Sequence, residues 1–190
     1  MLKANVVYAD FPHYHSSHNG NLEKAKSNNM WGLSGYRYKK MTWKQISEFP
    51  ISDYCDSNCA LFIWSSPPVV KRYLNVIESW GFKYRTFAFV WVKQNKSGTE
   101  IKPYGLGHYT LSNIEFVLLA TRGKFIRNSK SVKQVVLAPL RSHSEKPDEV
   151  RDRIVQLCGD VPRTELFARK EVTGWNCIGD EIGKPILLAN

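Results

Sequence analysis

The stretch VVYADFPHYH, residues 6 to 15, ends an apolar run on a carboxylate and surrounds it with rings: Asp10, Phe11, Pro12 and His13. A carboxylate at the mouth of a strand stands where α/β proteins bind ligands, and Pro12 stiffens the turn that presents it. An Asp in this place often does no more than cap a turn, so its meaning depends on what else reaches it. Basic and aromatic side chains supply a second kind of chemistry. They fall in Tyr36, Arg37, Tyr38, Lys39 and Lys40; in His108 and Tyr109; in Arg122, Lys124, Arg127, Lys130 and Lys133; and in Arg141 with His143. Cations neutralise phosphates and rings stack on exposed bases. One such run alone is usually a solvated face. Convergence of all of them beside Asp10 would make an interface.

Charge points the same way. Against 17 acidic residues the chain carries 27 Lys and Arg, a formal charge of +10. A polyanion such as nucleic acid is the simplest partner, with an anionic membrane surface as the rival. No apolar run approaches the roughly 20 residues that span a bilayer, and MLKANVVYAD lacks a signal-peptide layout, so a cytoplasmic protein is expected. Four cysteines are too sparse for a disulfide scaffold. Cys55 and Cys59 could join a histidine around zinc, but no second matching pair follows, so no metal is assigned.

The elements that must position these residues alternate. Strands are expected in ANVVYAD, CALFIWSS, YRTFAFVWVK, IEFVLLATRG, QVVLAPL and TELFARK. Thr42 and Gln45 fit a capping box opening a short helix in MTWKQISEF. Ser66 can cap, Pro67 suits the first turn and Gly81 the exit of a second helix. Pro147, Asp148 and Glu149 suit the start of a third, with Val150, Ile154, Leu157 and Cys158 on its apolar face. This order predicts one α/β domain over residues 1–190, a mainly parallel sheet flanked by helices. Three polar stretches, residues 14–40, 94–112 and 127–146, are each expected to leave the carboxyl end of a strand and to gather on one rim.

Read in order, LFIWSSPPVVKRYLNVIESWGFKYRTFAFVWVKQNKSG, GLGHYTLSNIEFVLLATRGK, APLRSHSEKPDEVRDRI and GDVPRTELFARKEVTGWNCIGDEIG resemble the adenine-N6 methyltransferases. That family includes the catalytic subunit of the eukaryotic mRNA-modifying enzyme and many bacterial and phage DNA-modifying proteins. The resemblance runs from Val6 to Ile182 and implies a Rossmann-like fold in circularly permuted order, with the catalytic motif early and the cofactor-binding strand late. It also accounts for the missing Gly-rich fingerprint after the first strand.

The resemblance implies S-adenosylmethionine as cofactor and gives the residues roles. Asp10, beside the cofactor, would accept a hydrogen bond from the adenine amine, helped by the backbone carbonyl of Phe11. Lys146 would contact the methionine carboxylate or the bound nucleotide, and Arg169, with Phe167 beside it, the cofactor's ribose. Glu181 would accept from ribose hydroxyls, Asp180 replaces an amide of the family segment, and Glu115 would lie near the target base. His108, Tyr109, His143, Tyr36, Lys39 and Lys40 are the expected substrate contacts. Where the family has Asp-Pro-Pro-Trp, this chain has Asp10-Phe11-Pro12-His13. Pro12 still biases Phe11 toward an extended backbone. His13 offers a smaller stacking face, and its protonated form would stand near a cationic cofactor, which implies reduced, pH-sensitive activity. DNA is expected rather than RNA, on the bacterial and phage branch, with pairing of two copies through residues 94–112 a further possibility. The alternatives are a catalytically degenerate nucleic-acid-binding partner subunit and an altered adenine modification.

Overall fold

Local chemistry sets the helix starts. In the computed structural model, which describes residues 3–13, 40–102, 109–142 and 144–186, Thr42 Oγ1 accepts from the Gln45 amide at 3.2 Å. Gln45 Oε1 accepts in return from the Thr42 amide at 2.9 Å. This capping box opens α1, Trp43–Ser47. The second helix starts later than its sequence suggests. Pro67 and Pro68 have no N–H to offer a cap, so the Ser66 side chain caps nothing and a 3-10 turn, Pro67–Val69, precedes α2, Val70–Ser79. Val69 N donates to the Ser66 carbonyl at 3.1 Å instead. α3, Glu149–Cys158, buries Val150, Ile154 and Cys158, with Leu157 only partly covered.

Seven strands form one sheet: β1 Ala4–Ala9, β2 Cys55–Ser65, β3 Lys83–Gln94, β4 Ile114–Arg122, β5 Val135–Pro139, β6 Arg163–Leu166 and β7 Asn176–Ile178. Their order is β5-β3-β4-β2-β1-β6-β7. β1 runs parallel to β2 and β6, β6 to β7, and β3 to β5; β4 alone runs antiparallel, between β2 and β3. The sheet is therefore mainly parallel, as the alternation of elements predicts.

Both faces of the central strands are covered, so they read as almost unbroken apolar runs. Val7 and Ala9 of β1 join Ile46, Tyr73 and Ile77 from α1 and α2 on one face. Val6 and Tyr8 join Val150 and Ile154 from α3 on the other. The chain leaves β1 for β2 on one side, while α3 carries it across to β6 on the other. The carboxyl ends of β1 and β6 thus flank the point where strand order reverses, the crevice where open α/β sheets bind ligands.

The reversed strand corrects one expectation. The stretches after β1 and β3 do leave carboxyl ends, but β4 delivers Arg122 to the opposite, amino-terminal rim. The connection to β5 stays there: Lys124 N donates to Asn58 Oδ1 at 2.5 Å, and Asn128 N to the Leu157 carbonyl at 2.7 Å. Only the part after Pro139 returns to the Asp10 side, so the 127–146 stretch divides between two rims.

Candidate active site

Four charged side chains meet above the sheet, brought there by three strand ends and one connection. Asp10 follows β1, Lys93 is next to last in β3, Glu115 is second in β4, and Lys146 lies between β5 and α3. Lys146 Nζ stands 2.9 Å from Asp10 Oδ2 and 3.2 Å from Glu115 Oε2, and Lys93 Nζ stands 2.7 Å from Glu115 Oε1. The two ammonium groups are nearly sealed, at 10% and 4% side-chain exposure, and each also lies over an indole, Trp64 for Lys146 and Trp91 for Lys93.

Charges so buried persist only where each faces its opposite. Burial alone would pull the Lys146 ammonium down, but the Asp10 and Glu115 carboxylates outweigh it and hold its pKa above the ordinary lysine value. Burial would likewise raise Glu115, and the ammonium groups of Lys146 and Lys93 outweigh it and keep its pKa below the usual range. The row reads Lys93, Glu115, Lys146, Asp10, alternating in sign and ending on the carboxylate at the crevice.

Lys93 was not among the residues expected from sequence. Its signal is spacing: Phe89, Trp91 and Lys93 recur at every second position of β3, and the first two are core residues. A lysine continuing a buried face needs a buried partner.

The turn after Asp10 is tied down. Phe11 is 2% exposed, its ring packed 4.6 Å from Phe167, 5.3 Å from Phe49 and 5.4 Å from Trp80, centroid to centroid. It anchors the turn in the core and offers no face to a base. Its carbonyl accepts the His13 amide at 2.8 Å, a tight turn about Pro12, and lies 3.0 Å from His13 Nδ1. The Pro12 carbonyl in turn accepts from Met41 N at 2.7 Å, which brings Lys40 beside the turn. Burial pulls the Lys40 ammonium below its usual pKa.

The His13 ring stands in an aromatic wall. Trp43 lies 5.2 Å and Tyr73 5.6 Å away, the Tyr73 hydroxyl is 3.0 Å from Nδ1, and the Arg72 guanidinium covers the outer side of Trp43 at 5.2 Å. Burial, and after it the Asp10 carboxylate, drives the Tyr73 phenol well above its ordinary pKa, so it stays a neutral hydroxyl.

The late motifs assemble along the neighbouring strand ends. Arg169 Nε donates to Glu181 Oε1 at 2.8 Å, Asp180 is exposed, and Phe167, with φ +60, turns its ring inward onto Phe11 and Phe49. Gly179 makes this approach possible, because a Cβ there would lie 2.2 Å from the Ala168 carbonyl. The set fits S-adenosylmethionine: a half-buried Glu181 carboxylate with one oxygen held by Arg169 suits ribose hydroxyls, and the Lys146 ammonium suits a carboxylate.

Other expected contacts are distributed differently. Tyr109 is fully exposed between β3 and β4. Arg141 is drawn to the protein's own acids, Asp148 at 2.8 Å and Glu145 at 3.6 Å. Arg122 braces the start of β2, donating to Ser52 Oγ and to the carbonyls of Cys55 and Asp56. It therefore does not face the crevice, and neither do Lys124, Arg127, Lys130 and Lys133, because β4 runs antiparallel. Tyr36, Arg37, Tyr38, Lys39, His108 and His143 lie outside the described residues.

Known proteins are similar to this chain in sequence. The MT-A70 family profile matches residues 18–181. The type II methyltransferase M.MunI of a Mycoplasma species is 32% identical over 190 residues, covering 95% of this chain and 78% of its own length. The human N(6)-adenosine-methyltransferase catalytic subunit METTL3 is 27% identical over 129 residues, 64% of this chain and 21% of its own. An Arabidopsis thaliana N(6)-adenosine-methyltransferase MT-A70-like protein is 27% identical over 124 residues, 64% of this chain and 18% of its own. With these matches and the Asp10 crevice, the chain belongs to the MT-A70 family.

Proposed function

We propose that this chain is an S-adenosylmethionine-dependent methyltransferase that places a methyl group on adenine N6 in DNA. The observation that carries the reading is Asp10 at the strand-order reversal, held by the buried Lys146. The DNA assignment draws on the type II methyltransferase similar along nearly the whole chain, the adenine-N6 assignment on the N(6)-adenosine-methyltransferases. Action in a bacterial cytoplasm and pairing of two copies through residues 94–112 belong to the same proposal. Among the described residues no helix is long and apolar enough to cross a membrane.

Adenine's exocyclic amine is a poor nucleophile because its lone pair is delocalised into the ring. Two aligned acceptors turn it toward a tetrahedral, nucleophilic geometry, so positioning and electrostatics do the work. S-adenosylmethionine, when bound, supplies an electrophilic methyl on a sulfonium. Asp10 supplies the first acceptor. Lys146 occupies Oδ2, leaving Oδ1 to accept from the amine and placing Asp10 to take the proton N6 sheds. Arg169 and Glu181 would hold the ribose.

The Phe11 carbonyl is the second acceptor, and here the chain departs from its family pattern. A carbonyl oxygen has two lone pairs. His13 donates its amide to that oxygen at 2.8 Å, and its ring Nδ1 lies 3.0 Å from the same oxygen and 3.0 Å from the Tyr73 hydroxyl. In the tautomer with the proton on Nδ1, the imidazole also donates to this carbonyl, and the amine gains it only when the imidazole gives up its share. Asp10 is retained and clamped, which favours an enzyme over a degenerate partner subunit.

The test is to incubate the protein with isotope-labelled S-adenosylmethionine and either DNA or RNA, digest, and resolve the nucleosides by mass. N6-methyladenine from DNA is expected. Cofactor binding with no modified adenine would leave only the binding module, and a heavier adduct would mark a different modification.

A further inference from the structure

The cations that β4 carries away from the crevice need an account of their own. On the carboxyl-terminal rim, Lys93, Arg141, Lys146, Arg169 and Lys170 each hold a carboxylate of the chain. On the amino-terminal rim, Lys83, Arg85, Lys124, Arg127, Lys130 and Lys133 are exposed, and among the described residues none lies within ion-pair distance of an acid. Between Arg85 and Arg127 of this set runs a groove of about 760 Å³, lined also by Phe87, Phe125, Ile126 and Gln134. Phe87 and Ile126 are 38% and 69% exposed, so the groove presents apolar surface between guanidinium groups.

We propose that this amino-terminal rim is a second docking surface, which binds the phosphodiester backbone of a nucleic-acid segment other than the one in the Asp10 crevice. Charge complementarity selects the occupant: six uncompensated cations on one rim match a regular row of phosphates. Asn128, Ser129 and Ser131 alternate with the loop cations and bring the short hydroxyl and amide donors that commonly contact phosphate oxygens. A groove also suits a ridge of backbone better than it suits a lipid surface, which would favour apolar side chains on a protrusion.

The two surfaces cannot share the same phosphates. Glu115 at the crevice and Arg122 at the far rim are seven residues apart on β4, roughly 24 Å of strand at ~3.4 Å per residue. A protein with a reactive rim and a holding rim can keep one stretch of chain while another is presented for reaction. This inference rests on the nucleic-acid reading of the crevice, but it makes its own prediction.

The experiment measures affinity for a labelled duplex by anisotropy across a salt series. It compares the wild-type chain, the quadruple variant K124Q/R127Q/K130Q/K133Q, and K44Q/K71Q, which removes exposed charge from α1 and α2. For four lost phosphate contacts the slope of log Kd against log salt is expected to become shallower by about 3 to 4, since each contributes ~0.9. K44Q/K71Q should leave it near wild type, and unchanged cofactor affinity by calorimetry verifies that the quadruple variant is folded. An unchanged slope overturns the proposal, as does an equal effect of the K44Q/K71Q pair, or wild-type binding to phosphatidylserine vesicles with no affinity for DNA. A wild-type chain that makes no N6-methyladenine, together with a shallower slope in the quadruple variant, would keep this surface and lose the proposed reaction.

Discussion

The two rims of the sheet use the same side chains in opposite ways. At the carboxyl ends Lys146 is nearly sealed between Glu115 and Asp10, and Lys93 is buried against Glu115, their geometry set before any ligand arrives. At the amino ends Lys124, Arg127, Lys130 and Lys133 are exposed, with no acid of the described chain to hold them. A lysine in a sealed pair is an instrument of position, because moving it would strand a charge away from water. On an open loop it attracts at a distance, weakens with salt, and tolerates disorder in its partner. Separating the two functions lets the crevice stay rigid while the opposite rim remains adaptable.

That contrast can be broken from either side. The largest effect is expected at Asp10. Asp10→Asn removes the charge that faces Lys146 and that the proposed reaction turns toward the amine, and a loss of about 100- to 1000-fold in single-turnover methyl transfer is expected, the size seen when one preorganised electrostatic contact is removed. Retention of near-full activity would remove Asp10 from the mechanism.

Next comes Lys93, which the contrast marks as structural to the site. Lys93→Met leaves Glu115 facing one ammonium instead of two, and a destabilisation on the order of 3 kcal/mol is expected in urea unfolding. Glu115→Gln on top of it should recover part of that loss, because the stranded charge goes with it. A destabilisation under about 0.5 kcal/mol, the range of ordinary surface changes, would mean that the pair is not sealed in solution.

The same row sets a pH dependence. Glu115 is held below its ordinary value of 4.5, so its contribution to stability is fully present above that pH and is lost as pH falls through the lowered pKa. Lys146 is held above its ordinary 10.5, so its contribution is complete at neutral pH and fades only in strong alkali. Wild-type stability should therefore fall more steeply below about pH 4.5 than that of Glu115→Gln. Parallel profiles would count against the coupling.

The smallest expected effect lies at His13. His13→Phe keeps a ring in the wall beside Trp43 and Tyr73 but frees the Phe11 carbonyl from Nδ1. A hydrogen bond of about 1 kcal/mol predicts a rise of roughly fivefold in kcat/KM. A fall in rate would show that the imidazole helps rather than competes.

Much of this architecture is legible in short windows. The reciprocal spacing of Thr42 and Gln45 produced the capping box it predicts, and the apolar run ending on Asp10 became a central strand that delivers its carboxylate to the crevice. Other residues were misread for physical reasons. Phe11 looked like part of a ring cluster around a ligand, yet it is a core residue, because Phe49, Trp80 and Phe167 arrive from distant segments to bury it. A charged residue at a strand end normally reaches water, and only the arrival of Glu115 from β4 makes the burial of Lys93 tolerable.

What the sequence by itself determined is whatever neighbours decide: strand or helix, the turn at Pro12, the capping box, and the family motifs that set the chemistry. Strand direction was decided by the tertiary structure alone. A period of two reads the same in both directions, so IEFVLLATRG predicts a strand without saying which end meets Asp10. The antiparallel pairing of β4 with β2 and β3 answers that question. It sends Glu115 to the crevice and the basic run beyond Arg122 to the opposite rim, and it is why one lysine-rich protein has two unlike surfaces.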